Sequence, residues 1–298
     1  MNFSYKQQKT ILIITFLIIP VSLLIAFSCY PIVKLVQQSF TDWDGMSIDF
    51  NFIGLKNYTD IFIDTDIMRA FLNTGAYVIC SVILTFLALY IAIIINGKKK
   101  TNNFLRSAIF TPYIMNGVAI ALMFNFLYNY ETSPINILIK NIGMEKYAVK
   151  FISESYLTNF ALAFVGMWRM TGFYMVIFLG ALQSIQGDYY EAAELDGASF
   201  FHKIIYIVIP SIKTVIGLNL FLSLNGALQA FTEPFVITKG GPMGLTDTII
   251  TKTLRIAFDF NNAGEASAIS VLLMIFIIML VSIQRKIING KDESNEMV

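Results

Sequence analysis

The stretch Phe71-Leu72-Asn73-Thr74-Gly75-Ala76-Tyr77-Val78-Ile79-Cys80-Ser81-Val82-Ile83-Leu84-Thr85-Phe86-Leu87-Ala88-Leu89-Tyr90-Ile91-Ala92-Ile93-Ile94-Ile95 carries no charged side chain and runs into Lys98-Lys99-Lys100. A hydrocarbon core about 30 Å thick is crossed by about 20 residues of helix, and this run exceeds that length. Working outward, five more stretches reach it, at about 11–36, 108–127, 157–185, 207–231 and 266–283. Barrel strands would be shorter and would alternate apolar with polar. The expected fold is therefore an all-α integral membrane protein, a bundle of six transmembrane helices forming a single domain over residues 1–298. Pro20 and Pro112 fall within spans, and each is expected to kink its helix.

Composition agrees. Of 298 residues, 56% are hydrophobic and 14% charged, with a mean hydropathy of +0.66; soluble domains carry about 25% charged residues. A net charge of +1 leaves no basic stripe for nucleic acid. Cys29 and Cys80 lie in apolar runs with neither metal nor redox spacing. A single histidine, His202, excludes a multi-histidine metal site. The first span follows Lys6 and Lys9 but is longer than a signal-peptide core, so it reads as an uncleaved anchor.

Basic residues near span ends set orientation. Lys6, Lys9, Lys98, Lys99, Lys100, Arg106, Arg285, Lys286 and Lys291 all fall on one side if six spans alternate. The other side receives Asp42, Asp44, Asp49, Asp60, Asp64 and Asp66, although Lys140, Lys146 and Lys150 dilute the bias. Both termini are expected in the cytoplasm. The tail Asp292-Glu293-Ser294-Asn295-Glu296 reads as solvated.

The polar segment between the fourth and fifth spans reads Gly187-Asp188-Tyr189-Tyr190-Glu191-Ala192-Ala193-Glu194-Leu195-Asp196-Gly197-Ala198-Ser199. Asp188 and Glu191 have the spacing of a capping box. Gly197 suits the left-handed residue that ends a helix, and Ser199 suits the cap of a second. Phe200, Phe201, Ile204, Ile205 and Val208 then recur as an apolar stripe, with Lys203 and Tyr206 off it. Two short helices are expected, with Glu191 and Glu194 displayed beside the small Ala192 and Ala193. Such a segment is either an ordinary interfacial connector or a docking surface for a partner's basic side chain.

Glu191-Ala192-Ala193, three residues, Gly197, nine residues, then Ile207-Val208-Ile209-Pro210 resembles the signature loop of the permease subunits of binding-protein-dependent ABC importers. Ile209 stands where the family usually has Leu. Two further stretches are similar to the sugar-importing branch and to the larger maltose-transporter permease. One is Thr238-Lys239-Gly240-Gly241-Pro242 with Thr246. The other is Phe40-Thr41, Trp43-Asp44, Gly54-Leu55-Lys56-Asn57-Tyr58 and Asn73-Thr74. The resemblance implies a type I ABC importer permease in a bacterial cell membrane, translocating a carbohydrate by alternating access. Residues 186–209 would form the coupling loop, seated in a cytoplasmic ATPase through Tyr190, Glu191, Ala192, Ala193, Glu194, Asp196 and Gly197, with Pro210 following. It also implies a homologous second permease, two ATPase copies and an extracellular solute-binding protein. ATP and magnesium would sit on the ATPase, and no cofactor on this chain.

The chain has no phosphate-binding loop of the Gly-x-x-x-x-Gly-Lys-Ser/Thr kind, no nucleophile elbow and no zinc motif. It reads as a transport subunit without catalytic residues. Acids deep in a span, which an ion-driven carrier usually needs, are not expected. Polar span residues that could line a substrate path are Asn116, Asn125, Asn225 and Gln229, the last two sharing one helix face. Trp168 or Phe231 could stack on a sugar ring. Such amides equally often bond helix to helix. Arg169 is expected to face the bundle or a wet cavity, since a lipid-facing arginine costs about 3 kcal/mol. Alternatives left open are an ABC permease for a polyol, glycerol phosphate or amino acid, and an ion-gradient-driven carrier.

Overall fold

A computed structural model describes residues 4–96, 100–152 and 157–289. Lys98, Lys99, Lys291 and the acidic tail lie outside the described residues. Its contacts separate the chain into two compact units. One takes the chain up to Asp64 together with Thr253–Ile275; the other takes Thr65–Lys252 and the chain from Phe276 onward.

In the first unit, α1 (Tyr5–Leu24) passes through a π-helical turn at Ile25–Cys29 into α2 (Tyr30–Gln38). The turn precedes Pro31, which has no N–H to donate. Pro20 sits inside α1 without ending it. None of the apolar window within Lys9–Gln38 is buried by the chain itself. Helix α3 (Lys56–Ile63) follows a polar corner. There the Asn57 amide donates to the carbonyls of Ser39 and Thr41, and Tyr58 shares a hydrogen bond with Ser39. The Phe40–Tyr58 motif is thus a clasp that holds the end of α2.

The second unit is built on α4 (Thr65–Ile95) and α8 (Leu157–Gln183), packed along each other, with α5 (Lys100–Ile114) on α8 and α12 (Lys213–Leu228) on α4 and α8. Ile-, Leu- and Ala-rich α4 is helical because only a helix satisfies its backbone inside lipid. Small residues set the spacing: a Cβ on Gly172 of α8 would collide with the backbone of Ile109 and Phe110 in α5. Helix α6 (Gly117–Tyr128) follows α5, and α7 (Pro134–Asn141) precedes α8. Helix α9 (Gly187–Leu195), α10 (Phe200–Lys203), a π turn (Ile204–Val208) and α11 (Ile209–Ser211) precede α12. Helices α13 (Ile249–Phe258) and α14 (Ala263–Asn289) complete the described residues.

The span expectation needs correction at two places. Among the described residues, four helices are continuous and apolar enough to cross a membrane: Lys9–Gln38, Thr65–Ile95, Leu157–Gln183 and Ala263–Lys286. The third and fifth expected spans are broken pairs, bent by 95° between Asn103–Ile114 and Gly117–Tyr128 and by 76° between Phe200–Ser211 and Lys213–Leu228. The first break falls at Asn116, whose extended backbone (ψ 127) starts a new helix; the second falls at Ile212, just after Pro210. Counting each pair as one span gives six.

Candidate functional site

Two features of the second unit could serve function: the α9–α10 elbow and a cavity among α4, α8 and α12.

Helix α9 stops in a Schellman turn. Gly197 adopts φ +74, its N–H donates to the Glu194 carbonyl at 3.1 Å, and the Ala198 N–H donates to the Ala193 carbonyl at 2.9 Å. Ser199 then caps α10, its hydroxyl accepting from the His202 N–H. Lys203 closes the angle by an ion pair with Glu194 at 2.7 Å. Tyr190 points inward, packing on the core cluster that contains Leu182, Val208 and Ile212, and burial pushes its phenol pKa up. Glu191, Ala192, Glu194, Asp196 and Gly197 are exposed, and Ala193 is half-buried. Glu191 meets no partner among the described residues.

One expectation here is corrected. Asp188 caps nothing: the helix begins after Gln186, which offers no side-chain bond, so no capping box forms. Of the apolar stripe Val208 is buried and Ile204 half-buried, and Phe200, Phe201 and Ile205 are exposed. Lys203, off the stripe, braces the elbow. The sequence reading also passed over Leu195, which is 91% exposed at the tip of α9. A leucine that breaks a polar helix end was the available signal.

The cavity encloses ≈ 200 Å³. Tyr77 and Ser81 of α4, Gly166 and Arg169 of α8, Ser223 of α12 and the following Gln229, Phe231 and Glu233 contribute to its wall. Arg169 faces this cavity rather than lipid, as expected, with its guanidinium against Gly117. Gln229 reaches the cavity and is held by Asn225, its side-chain amide donating to the Asn225 Oδ1 at 2.8 Å. Asn225 itself is not in the wall.

The other expected path residues lie elsewhere. Asn116 caps α6, its carbonyl accepting from the N–H groups of Val118 and Ala119. Asn125 donates to the Ile237 carbonyl at 2.7 Å, pinning a π-helical turn at Pro234–Thr238. Trp168 packs edge-on against Phe124 and is absent from the wall; of the two expected aromatics, Phe231 lines it, beside Tyr77 and Tyr174. Each amide was correctly read as polar within apolar sequence, but backbone at a helix break competes for the same hydrogen bonds.

Glu233 was missed. It lies past the fifth span in sequence, yet the chain folds it back until its carboxylate sits over Gly166, 3.2 Å from where a Cβ would be. It is 8% exposed. It lies beyond the fifth span, so the expectation about acids deep within a span does not reach it. The signal was its isolation as the lone acid between Asp196 and Asp247.

The two remaining motifs are structural. Gly240 takes φ 75 and Thr246 bonds both Thr238 and the Gly241 carbonyl, closing the Gly-Gly-Pro turn. Asn73 donates to the carbonyls of Leu245 and Asp247 and accepts from Asn159, while the Thr74 hydroxyl accepts from the Ile249 N–H.

Residues 84–291 match the family described as "Binding-protein-dependent transport system inner membrane component". The chain belongs to this family. It is similar to the probable ABC transporter permease protein YurN of Bacillus subtilis, 31% identical over 93% of this chain and 96% of that one. It is also similar to the multiple sugar-binding transport system permease protein MsmF of Streptococcus mutans, 29% identical over 92% of this chain and 93% of that one. A crystal structure of a bacterial ABC transporter that imports the acidic polysaccharide alginate contains a chain of the same fold. Its TM-score is 0.82 over 95% of this chain and 96% of that one, at 20% identity. The protein is thus a transport subunit of the importer-permease fold.

Proposed function

We propose that this chain is the permease subunit of an ATP-driven ABC importer that carries a carbohydrate across a bacterial cell membrane by alternating access. The elbow carries the reading. It is an exposed helix end ordered by the chain's own Schellman turn, Ser199 cap and Glu194–Lys203 brace. Glu191 is left free to pair with a basic side chain of a separate ATPase, and Leu195 is left free to enter an apolar recess. Such a lever transmits force without chemistry on this chain; ATP and magnesium belong to the ATPase. Both termini and the elbow are cytoplasmic in this reading, and a homologous permease and an extracellular solute-binding protein complete the assembly.

Carbohydrate as the solute is supported by the Streptococcus relative, whose name records sugar transport, and by a cavity that mixes hydroxyl, amide and aromatic groups. The test is co-purification in mild detergent followed by a solute panel on the extracellular partner. An ATPase held through the elbow and a saccharide bound by the partner are the expected results. Release of no ATPase on changing Glu191 and Leu195 together to Lys would refute the docking role.

A further inference from the structure

We propose that Glu233 and Arg169 select the charge of the solute, admitting a neutral saccharide held by its hydroxyls between them and rejecting uronates and sugar phosphates. This rests on the carbohydrate reading above and assigns its charge filter to named side chains.

Glu233 is buried and Arg169 half-buried at one cavity, and neither is fully satisfied by the chain. Glu233 has no hydrogen bond or ion pair with another described residue. The Arg169 Nε is buried without an acceptor, and the Tyr77 hydroxyl beside them is buried without a partner. The carboxylate lies within electrostatic reach of the guanidinium, but no ion pair closes between them. Glu233 is seated over Gly166 and Arg169 against Gly117. Buried charges that stay unpaired are costly, so the pair is built to meet something that enters the space they share.

The chemistry of that visitor follows from what each group can do. A carboxylate only accepts and a guanidinium only donates, whereas a hydroxyl does both. Neighbouring sugar hydroxyls therefore donate to Glu233 and accept from Arg169, with the Gln229 amide and Ser223 hydroxyl beside them, and no net charge is introduced. A uronate or phosphate would satisfy Arg169 but set a second anion near Glu233. At an effective dielectric of about 20, like charges several ångströms apart change an affinity by one to two orders of magnitude.

The test uses the assembled permease–ATPase complex in nanodiscs without the extracellular binding protein, whose own selectivity would mask the filter. Calorimetry compares neutral maltotriose, xylotriose and mannotriose with trigalacturonate and trimannuronate. The wild type is expected to bind a neutral trisaccharide at least tenfold tighter than either uronate. Glu233→Gln should narrow or invert that ratio by tenfold or more, Glu233→Asp should keep it, and Arg169→Gln should weaken neutral binding without favouring uronates. An assembled Glu233→Gln complex with an unchanged ratio overturns the inference while leaving the carbohydrate reading intact. Wild type that prefers a uronate does the same without any variant. Wild type that binds a zwitterion such as glycine betaine and no saccharide overturns both.

Discussion

Replacing Gly197 separates backbone conformation from every other property of the elbow. The residue sits at φ +74, and a Cβ built there meets nothing within 4 Å. Gly197→Ala therefore introduces no clash, and its cost is the left-handed conformation alone, about 1–2 kcal/mol for an L-residue. Gly197→Val should exceed this and Gly197→Asn should fall below it, since asparagine tolerates that region. A shift of that size lowers the population of the closed turn by about 5–30-fold. The direct assay is amide exchange of residues 197 and 198, whose N–H groups close the turn on the Glu194 and Ala193 carbonyls. Exchange should accelerate by that factor in Gly197→Ala while distant core amides are unmoved. Receptor-stimulated uptake should fall in the order Asn, Ala, Val at equal membrane abundance. Unchanged exchange in Gly197→Val would refute the conformational reasoning; faster exchange with undiminished uptake would refute the lever.

Gly172→Ala should cost about 1–3 kcal/mol by overpacking, because the new Cβ meets the Ile109 and Phe110 backbone; the readout is a lowered Tm in detergent. Asn73→Ala leaves the Asp247 carbonyl without the Asn73 donor and the Leu245 carbonyl with the Asn159 amide alone, at about 1–3 kcal/mol for a buried orphan, so it should lower Tm, with Asn73→Asp giving no rescue. The Asp44 carboxyl, accepting from Ser47 and Met46, is held at about 2 against an ordinary 3.8. Its contribution is full above 3.8 and is lost as pH falls through about 2. Trp43, whose indole donates to the Ser47 carbonyl, should report this as a fluorescence change in a Trp168→Phe background, and Asp44→Asn should abolish the pH dependence.

The apolar runs and the elbow were legible because each rests on local chemistry: length without charge, and a glycine at a helix end. Continuity was not. Hydropathy reads 108–127 and 207–231 as unbroken, because a chain bent at Asn116 or Ile212 is as apolar as a straight one. The same limit hid the backbone partners of Asn116 and Asn125. A polar side chain in apolar sequence must find a partner, but whether that partner is backbone or solute is decided by where the helix breaks. Glu233 was hidden by distance along the chain, since nothing near Thr232-Glu233-Pro234 announces a return to Gly166. Asp188 failed as a cap because the chain turned into α9 two residues earlier than the capping-box spacing required.

The contact at Gly172 has a mechanical consequence. Backbone rests on backbone there, so at that point α5 and α8 have no rotamer to change when one is displaced against the other. With the Tyr113–Phe173 stack one turn away, the contact is a pivot through which a push on α8 is handed to α5 and so toward the kink at Asn116.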